Sequence, residues 1–310
     1  MRKKVALISF NPLLDISLRE EDYSFREKKF AKYSCYAAGG LAINVARGLK
    51  CLEKSFKLYT ILGGDIGRLV KKQLVKEGIP FGFLEDKGET RVAVVWDGHK
   101  RNMFVAPSPA IDFSTIKKFI SNYYSEISGN DLVVIGGSVP EKFSDYICEN
   151  LIRKLKTQGV KVIVDSRGLF AQRVFKEVPY IIRYNKKKAS YLQTGPKINQ
   201  CIKEACDLHK KGTSLVILNT RKHSYAIHSH NIWRYPSFTQ FSMNTFGRGD
   251  AFLAGLISAH LDGYGFNDAV RFAIACGASF ACDFPLGNIF TKSVPGYFCS
   301  IQNDWKRKIR

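Results

Sequence analysis

Four short apolar runs, at 132–135, 160–164, 180–183 and 215–218, stop at or near Gly136, Asp165, Asn185 and Asn219. Stretches of helical length separate them. Strands rich in Val, Ile and Leu are buried on both faces, which calls for a parallel sheet covered by helices on either side. Ligands of such sheets bind beyond the strand C-termini, where the polar and Gly residues of this chain recur. Two earlier runs, at 5–10 and 57–62, extend the series. Asn11-Pro12-Leu13-Leu14-Asp15 reads as a turn leaving a carboxylate past the first strand, and 16–32 as an edge hairpin or lid. Ala37-Ala38-Gly39-Gly40 reads as a small-residue turn into a helix that carries Asn44, a side chain able to donate and accept. Gly63-Gly64-Asp65-Ile66-Gly67 opens a helix to about Glu77. Arg91 to Trp96 and Asn102 to Val105 flank Asp97-Gly98, a hairpin signature and a natural flap over a site. A last packed helix is expected over 268–282.

The chemistry concentrates at Asn244-Thr245-Phe246-Gly247-Arg248-Gly249-Asp250. A helix follows, with Phe252, Leu253, Leu256, Ile257 and Leu261 on its buried face. Backbone N–H groups at a helix N-terminus converge on one spot that favours phosphate, and glycine lets the ligand approach the main chain. Asp250 stands where a carboxylate could take a proton from an attacking hydroxyl. By itself a Gly-x-Gly-Asp turn is equally a helix-capping turn.

The 310 residues suffice for one large α/β domain, and no linker or repeat divides them. No apolar run nears the ~20 residues needed to span a bilayer, and the basic start is too short for a signal peptide. A cytoplasmic protein is expected. Eight cysteines are scattered without a Cys-x-x-Cys pair. Cys201, Cys206 and His209 share a helix face, where packing explains them better than a metal. The formal charge of +21 suits anionic ligands from nucleotides and sugar phosphates to nucleic acid, although no nucleic-acid motif accompanies it.

Together these pieces resemble the ribokinase-like (PfkB) sugar kinases, especially the 1-phosphofructokinase and tagatose-6-phosphate kinase branch. The resemblance runs through Asn11-Pro12-x-x-Asp15, Gly39-Gly40-x-x-x-Asn44-Val45-Ala46-Arg47, Gly64-Asp65-x-x-Gly67, Thr90-Arg91, Gly137-Ser138-x-Pro140, Asp165-Ser166-x-Gly168, Asn185 and Thr245-x-Gly247-x-Gly249-Asp250. It implies one three-layer α/β/α domain over 1–310, mostly parallel, with a small β lid from about 11–35 and 90–106. It also implies ATP and Mg2+ as cofactors. Asp250 would be the base, with the amides of Gly247, Arg248 and Gly249 as anion hole. Asp15, Gly39, Gly40, Asn44 and Arg91 would hold the sugar or sugar phosphate. Asn185, Thr220, Arg221 and Thr245 would face the nucleotide. Relatives use such lids to close over the sugar or to build a homodimer.

Departures cluster at the donor end. Asn244 stands where the family has Asp, and Arg248 where it has a small residue. The family's Asn-x-x-Glu, which orders the magnesium shell, reads Asn185-Lys186-Lys187-Lys188, so Lys188 replaces the carboxylate and no metal ligand is assigned. Arg221 and Ser224 replace a Gly-x-x-Gly, and Leu41 removes a phosphate contact of the phosphosugar branch. Two readings stay open: added cations neutralise ATP directly, or the site is catalytically degenerate and binds an anionic ligand or partner, nucleic acid included. Arg248 poses the same choice, as a clamp on the donor phosphates or as a plug in the γ-phosphate position. The basic end, Trp305 to Arg310, reads as a solvated tail.

Overall fold

The computed structural model describes residues 3–19, 30–97, 101–166, 168–185, 198–220, 222–237, 246–280, 286, 288–289, 291–302 and 305–309. The chain opens with β1 (Val5–Ser9), then β2 (Leu13–Arg19), β3 (Tyr33–Gly39) and α1 (Leu41–Cys51). β4 (Phe56–Gly63), α2 (Gly64–Lys76), β5 (Phe81–Asp86), β6 (Arg91–Asp97) and β7 (Arg101–Val105) follow. α3 (Phe113–Ser128) leads to β8 (Leu132–Gly136). A composite helix comes next, in which α4 (Ser144–Ile147) and α5 (Arg153–Thr157) flank a π-helical turn. Alternation resumes with β9 (Lys161–Asp165), α6 (Gly168–Glu177), β10 (Ile181–Asn185), α7 (Ile198–Lys210) and β11 (Leu215–Asn219). The remaining elements are β12 (His223–His228), β13 (Asn231–Pro236), α8 (Arg248–Leu261), α9 (Phe266–Ala278), α10 (Val294–Ser300) and β14 (Trp305–Lys308).

Among the described residues, ten strands form one sheet in the order β14-β13-β12-β11-β10-β9-β8-β1-β4-β5. From β11 to β5 every neighbour is parallel, as continuous apolar strands require. Alternate residues feed opposite faces. Val5 and Leu7 pack with α1, α8 and α9, whereas Ala6 and Ile8 pack with α3, the composite helix and α6. This is the ribokinase-like layered α/β architecture. α8 is apolar on nearly all sides because it is covered by α1 and α9 as well as the sheet; Ala251 to Ala259 are all buried.

A second sheet, β3-β2-β6-β7, stands over the first. β2 pairs antiparallel with β3 and parallel with β6, and β6 pairs antiparallel with β7. The hairpin read at 91–105 is therefore present. Several expectations are corrected. Asp15 lies within strand β2 rather than in a turn, because Leu13, Leu14 and Asp15 are buried in register with Gly39, Ala38 and Ala37. Ala37 to Gly39 are accordingly strand, and only Gly40 turns the chain into α1 with a positive φ of 111°. The last core helix stops at Ala278, and Cys282 lies outside the described residues. β5, β12 and β13 escaped the sequence reading. The basic end is not a free tail: Trp305 to Lys308 pair with Arg234 to Asn231 as an edge strand, where Lys306 Nζ sits 4.4 Å from the Trp233 ring centroid.

Candidate active site

The N-terminus of α8 is centred beyond the strand C-termini. Gly247 is its N-cap at φ 85°, a left-handed conformation that glycine adopts without a Cβ penalty. The amides of Asp250 and Ala251 bond back to the Gly247 carbonyl. The preceding amides of the turn have no acceptor within the helix, and the macrodipole adds positive potential there. Gly249 is enforced sterically: a Cβ on it would stand 2.5 Å from Nη2 of Arg183. The Arg248 side chain, whose role the sequence left open, is fully buried.

Asp250 is joined to residues more than 200 positions earlier. Asn44 Nδ2 donates to Asp250 Oδ2 at 2.7 Å. Asn44 Oδ1 in turn accepts from Arg47 Nη1 at 2.8 Å, an i,i+3 contact along α1. Arg47 is 3% exposed and also grips Glu77, with Nε to Oε2 at 2.5 Å and Nη2 to Oε1 at 2.9 Å.

Asp15 belongs to the same charged cluster. It is packed so closely on the main chain that a Cβ at Gly39 would reach 2.2 Å from its Oδ2, which explains the glycine. Burial pushes its carboxyl up to about 7; the Arg47 guanidinium opposes this, the Asp250 carboxylate adds to it and Arg91 opposes it. Its Oδ1 is buried without a hydrogen-bond partner. Arg91, in register with Leu13 on the same face of the lid sheet, donates Nη2 to Asn11 O at 3.1 Å and Ser138 Oγ at 3.0 Å. Asn11 Nδ2 reaches Ser108 Oγ at 2.8 Å and Ser138 Oγ at 3.1 Å. The sequence reading had quoted Asn11 and Ser138 as motif residues without giving them a role.

Two further buried polar residues, Arg183 and Asn219, were missed by sequence reasoning. Arg183 is 5% exposed and ion-paired through Nη1 with Asp165 Oδ2; its Cζ lies 5.2 Å from the Phe252 ring centroid. Its Nε is buried without a hydrogen-bond partner, and its Nη2 lies against Gly249 of the turn. Asn219, at the end of β11 and in register with Asn185 and Ser224, is 2% exposed. Neither Oδ1 nor Nδ2 of Asn219 has a partner, and Ser224 Oγ is equally orphaned. Buried polar atoms of this kind are complete only with a polar ligand or water. Thr220 uses its hydroxyl locally, donating to His223 O at 2.8 Å and accepting from His223 N at 3.0 Å. Of Asn185 only the backbone is described; Arg221, Asn244, Thr245, Lys186, Lys187 and Lys188 lie outside the described residues. Among those described, no three His, Cys, Asp or Glu side chains gather as a metal group. Cys201 and Cys206 are buried on α7, and His209 Nδ1 lies 2.8 Å from Thr213 O.

A cleft of about 410 Å³ opens at the other end of the sheet, lined in part by Lys3, Asp131, Lys161 and His260. Its cations sit against the C-terminal ends of α3, α5 and α8, where helix dipoles favour positive charge. None of the motif residues reaches it.

Comparison with known proteins agrees with this geometry. Residues 11–283 match the pfkB family carbohydrate kinase profile. The chain belongs to that family and is by class a carbohydrate kinase. A Thermotoga maritima protein described as a possible 1-phosphofructokinase superposes with a TM-score of 0.85 at 22% identity, covering 99% of this chain and 100% of its own. Escherichia coli phosphofructokinase-2 with potassium gives 0.84 at 19%, covering 96% and 99%. The same enzyme with fructose-6-phosphate gives 0.82 at 20%, again covering 96% and 99%. At such identities the likeness defines the fold. No helix among the described residues is long and apolar enough to cross a membrane.

Proposed function

We propose that this chain transfers the γ-phosphoryl group of ATP to a hydroxyl of a sugar or sugar phosphate, in the manner of a phosphofructokinase. The observation that carries this is the 2.7 Å bond from Asn44 to Asp250, which fixes a carboxylate in the first turn of α8 beside the acceptor residue Asp15. Asp15, Gly39, Gly40 and Asn44 line the acceptor end, and Arg91 with Asn11 and Ser138 forms a donor-rich corner suited to the substrate's phosphate. The hydroxyl gives its proton to Asp250 as its oxygen attacks phosphorus; the bond to the β-phosphate oxygen breaks and ADP leaves. Amides of Gly247, Arg248 and Gly249 hold the equatorial oxygens, each such donor contributing roughly 10²–10³ in rate.

Asn219 and Ser224, with Asn185, Thr220, Arg221 and Thr245, form the nucleotide side, and the orphaned Asn219 amide fits a polar ligand. Among the described residues no carboxylates gather as a dedicated Mg2+ site, and Asp165 is held by Arg183. Mg2+ carried on the nucleotide phosphates is compatible with this donor set, and no step here depends on it. Fructose 1-phosphate, fructose 6-phosphate and tagatose 6-phosphate are the acceptor class. The lid sheet exposes Tyr36 and Phe104 in one cross-strand row, which suits a homodimer. Isothermal titration with a non-hydrolysable ATP analogue, together with a transfer assay on ATP itself, each with these three sugars, is the test. Saturable nucleotide binding and sugar-dependent transfer are expected; no nucleotide binding would falsify the proposal.

A further inference from the structure

We propose that Arg47 is a positioning residue of this site: it selects the orientation of Asn44, through it anchors Asp250, and sets positive charge against Asp15. The turnover part of this inference rests on the kinase reading above.

Arginine has N–H donors in a planar fork and accepts nothing. Here five hydrogen bonds radiate from the guanidinium: two to Glu77, one to Ala38 O, one to Leu286 O at 3.0 Å and one to Asn44 Oδ1. Because Arg47 only donates, the oxygen end of the Asn44 amide must face it. The nitrogen end is then directed at Asp250. A flipped amide would oppose donor to donor at Arg47 and acceptor to carboxylate at Asp250. One guanidinium thus decides which carboxamide atom meets the base, and ties together the ends of β3 and α2 and the chain at Leu286. Lysine, a point charge on a flexible stem, cannot reproduce that fork.

The charged groups around this cluster are Asp15 from β2, Arg91 from β6, Glu77 after α2, Arg183 from β10, and Arg248 and Asp250 from α8. Arg47 and Glu77 are bonded to each other, so removing one or the other changes the field at Asp15 in opposite directions.

The test combines steady-state kinetics on ATP and fructose 6-phosphate with 13C NMR titration of Asp side-chain carboxyls, the Asp15 signal being assigned through Asp15→Asn. Arg47→Gln is expected to raise the Asp15 midpoint by about one pH unit. Glu77→Gln is expected to lower it. Arg47→Lys should leave the midpoint near that of the wild type while cutting kcat about tenfold, with KM for ATP within twofold. Should Arg47→Gln not fold, the double variant Arg47→Gln/Glu77→Gln replaces it and is expected to titrate above Glu77→Gln. Midpoints that stay put, or that move the same way in Arg47→Gln and Glu77→Gln, would overturn the electrostatic role. A wild-type kcat in Arg47→Lys would overturn the orienting role. A wild-type chain that transfers no phosphate would sink the kinase reading, while the titration still decides for or against Arg47.

Discussion

Replacing Gly249 by Ala places a methyl group 2.5 Å from Arg183 Nη2 and 3.5 Å from its Cζ, the first about 1 Å inside ordinary contact. An exposed arginine would swing away. Arg183 cannot, because its side chain is 6% exposed, bonded to Asp165 and packed over Phe252. Relief must come from breaking the buried ion pair, at a cost of ~3–5 kcal/mol, or from shifting the first turn of α8, at ~1–3 kcal/mol as in other overpacked cores. The second route is the cheaper. It displaces the amides proposed to face the transferred phosphoryl group, and misplacing one such donor lowers kcat roughly 10²–10³-fold. Gly249→Ala is therefore expected to lose at least a hundredfold in kcat and, at ~2 °C per kcal/mol, several degrees in Tm. Gly296→Ala is the control. It lies within α10, meets nothing within 4 Å, and should be neutral or slightly stabilising. A coupled ADP-release assay and calorimetry on both variants decide it. A Gly249→Ala protein with wild-type kcat and Tm would refute the placement of Arg183 beneath a functional turn.

Three further outcomes follow from particular side chains. The Asp15 carboxyl rises from 3.8 to about 7 on folding, so its folded form is favoured while protonated. That contribution is complete below pH 4 and is lost as pH climbs through 7, about 4 kcal/mol in all; denaturant titrations should show Asp15→Asn matching wild type at pH 4 and exceeding it at pH 8. Arg248→Ala empties a fully buried site and should cost ~2–4 kcal/mol. Titration calorimetry should also show weaker ATP binding, whereas tighter binding would mark Arg248 as a plug. Phe104 is 64% exposed and Tyr36 46% exposed on the lid sheet; Phe104→Glu should convert a dimer to monomer in sedimentation velocity, and an unchanged mass would place any dimer interface elsewhere.

The parallel core was legible because its strands are apolar on both faces and end in polar or Gly residues. Asp250, Asn44 and Asp15 were singled out as a site only by the resemblance to a kinase family, since each of their motifs is weak by itself. Their meeting was not legible, for no local pattern relates Asn44 to Asp250. Asp15 was misplaced in a turn because Asn11-Pro12 punctuates the chain just before it, yet β2 is strand as far as Arg19 by virtue of pairing on both sides. β14 was misread for the opposite reason. As an edge strand it needs only one partner, so Lys306, Arg307 and Lys308 can remain exposed and carry no apolar signature. Arg183 and Arg47 look like incidental basic residues in a strand and a helix; only tertiary packing sets one beneath Gly249 and the other behind Asn44.

The most direct test is turnover by Asp250→Asn. Asn44 can still bond the new side-chain oxygen, so the acceptor site should keep its shape while the base is lost. With ATP and fructose 6-phosphate, kcat should fall about 10²–10⁴-fold with both KM values within a few-fold of wild type. Wild-type turnover from Asp250→Asn would show that the proton is taken elsewhere and that this turn is not the catalytic centre.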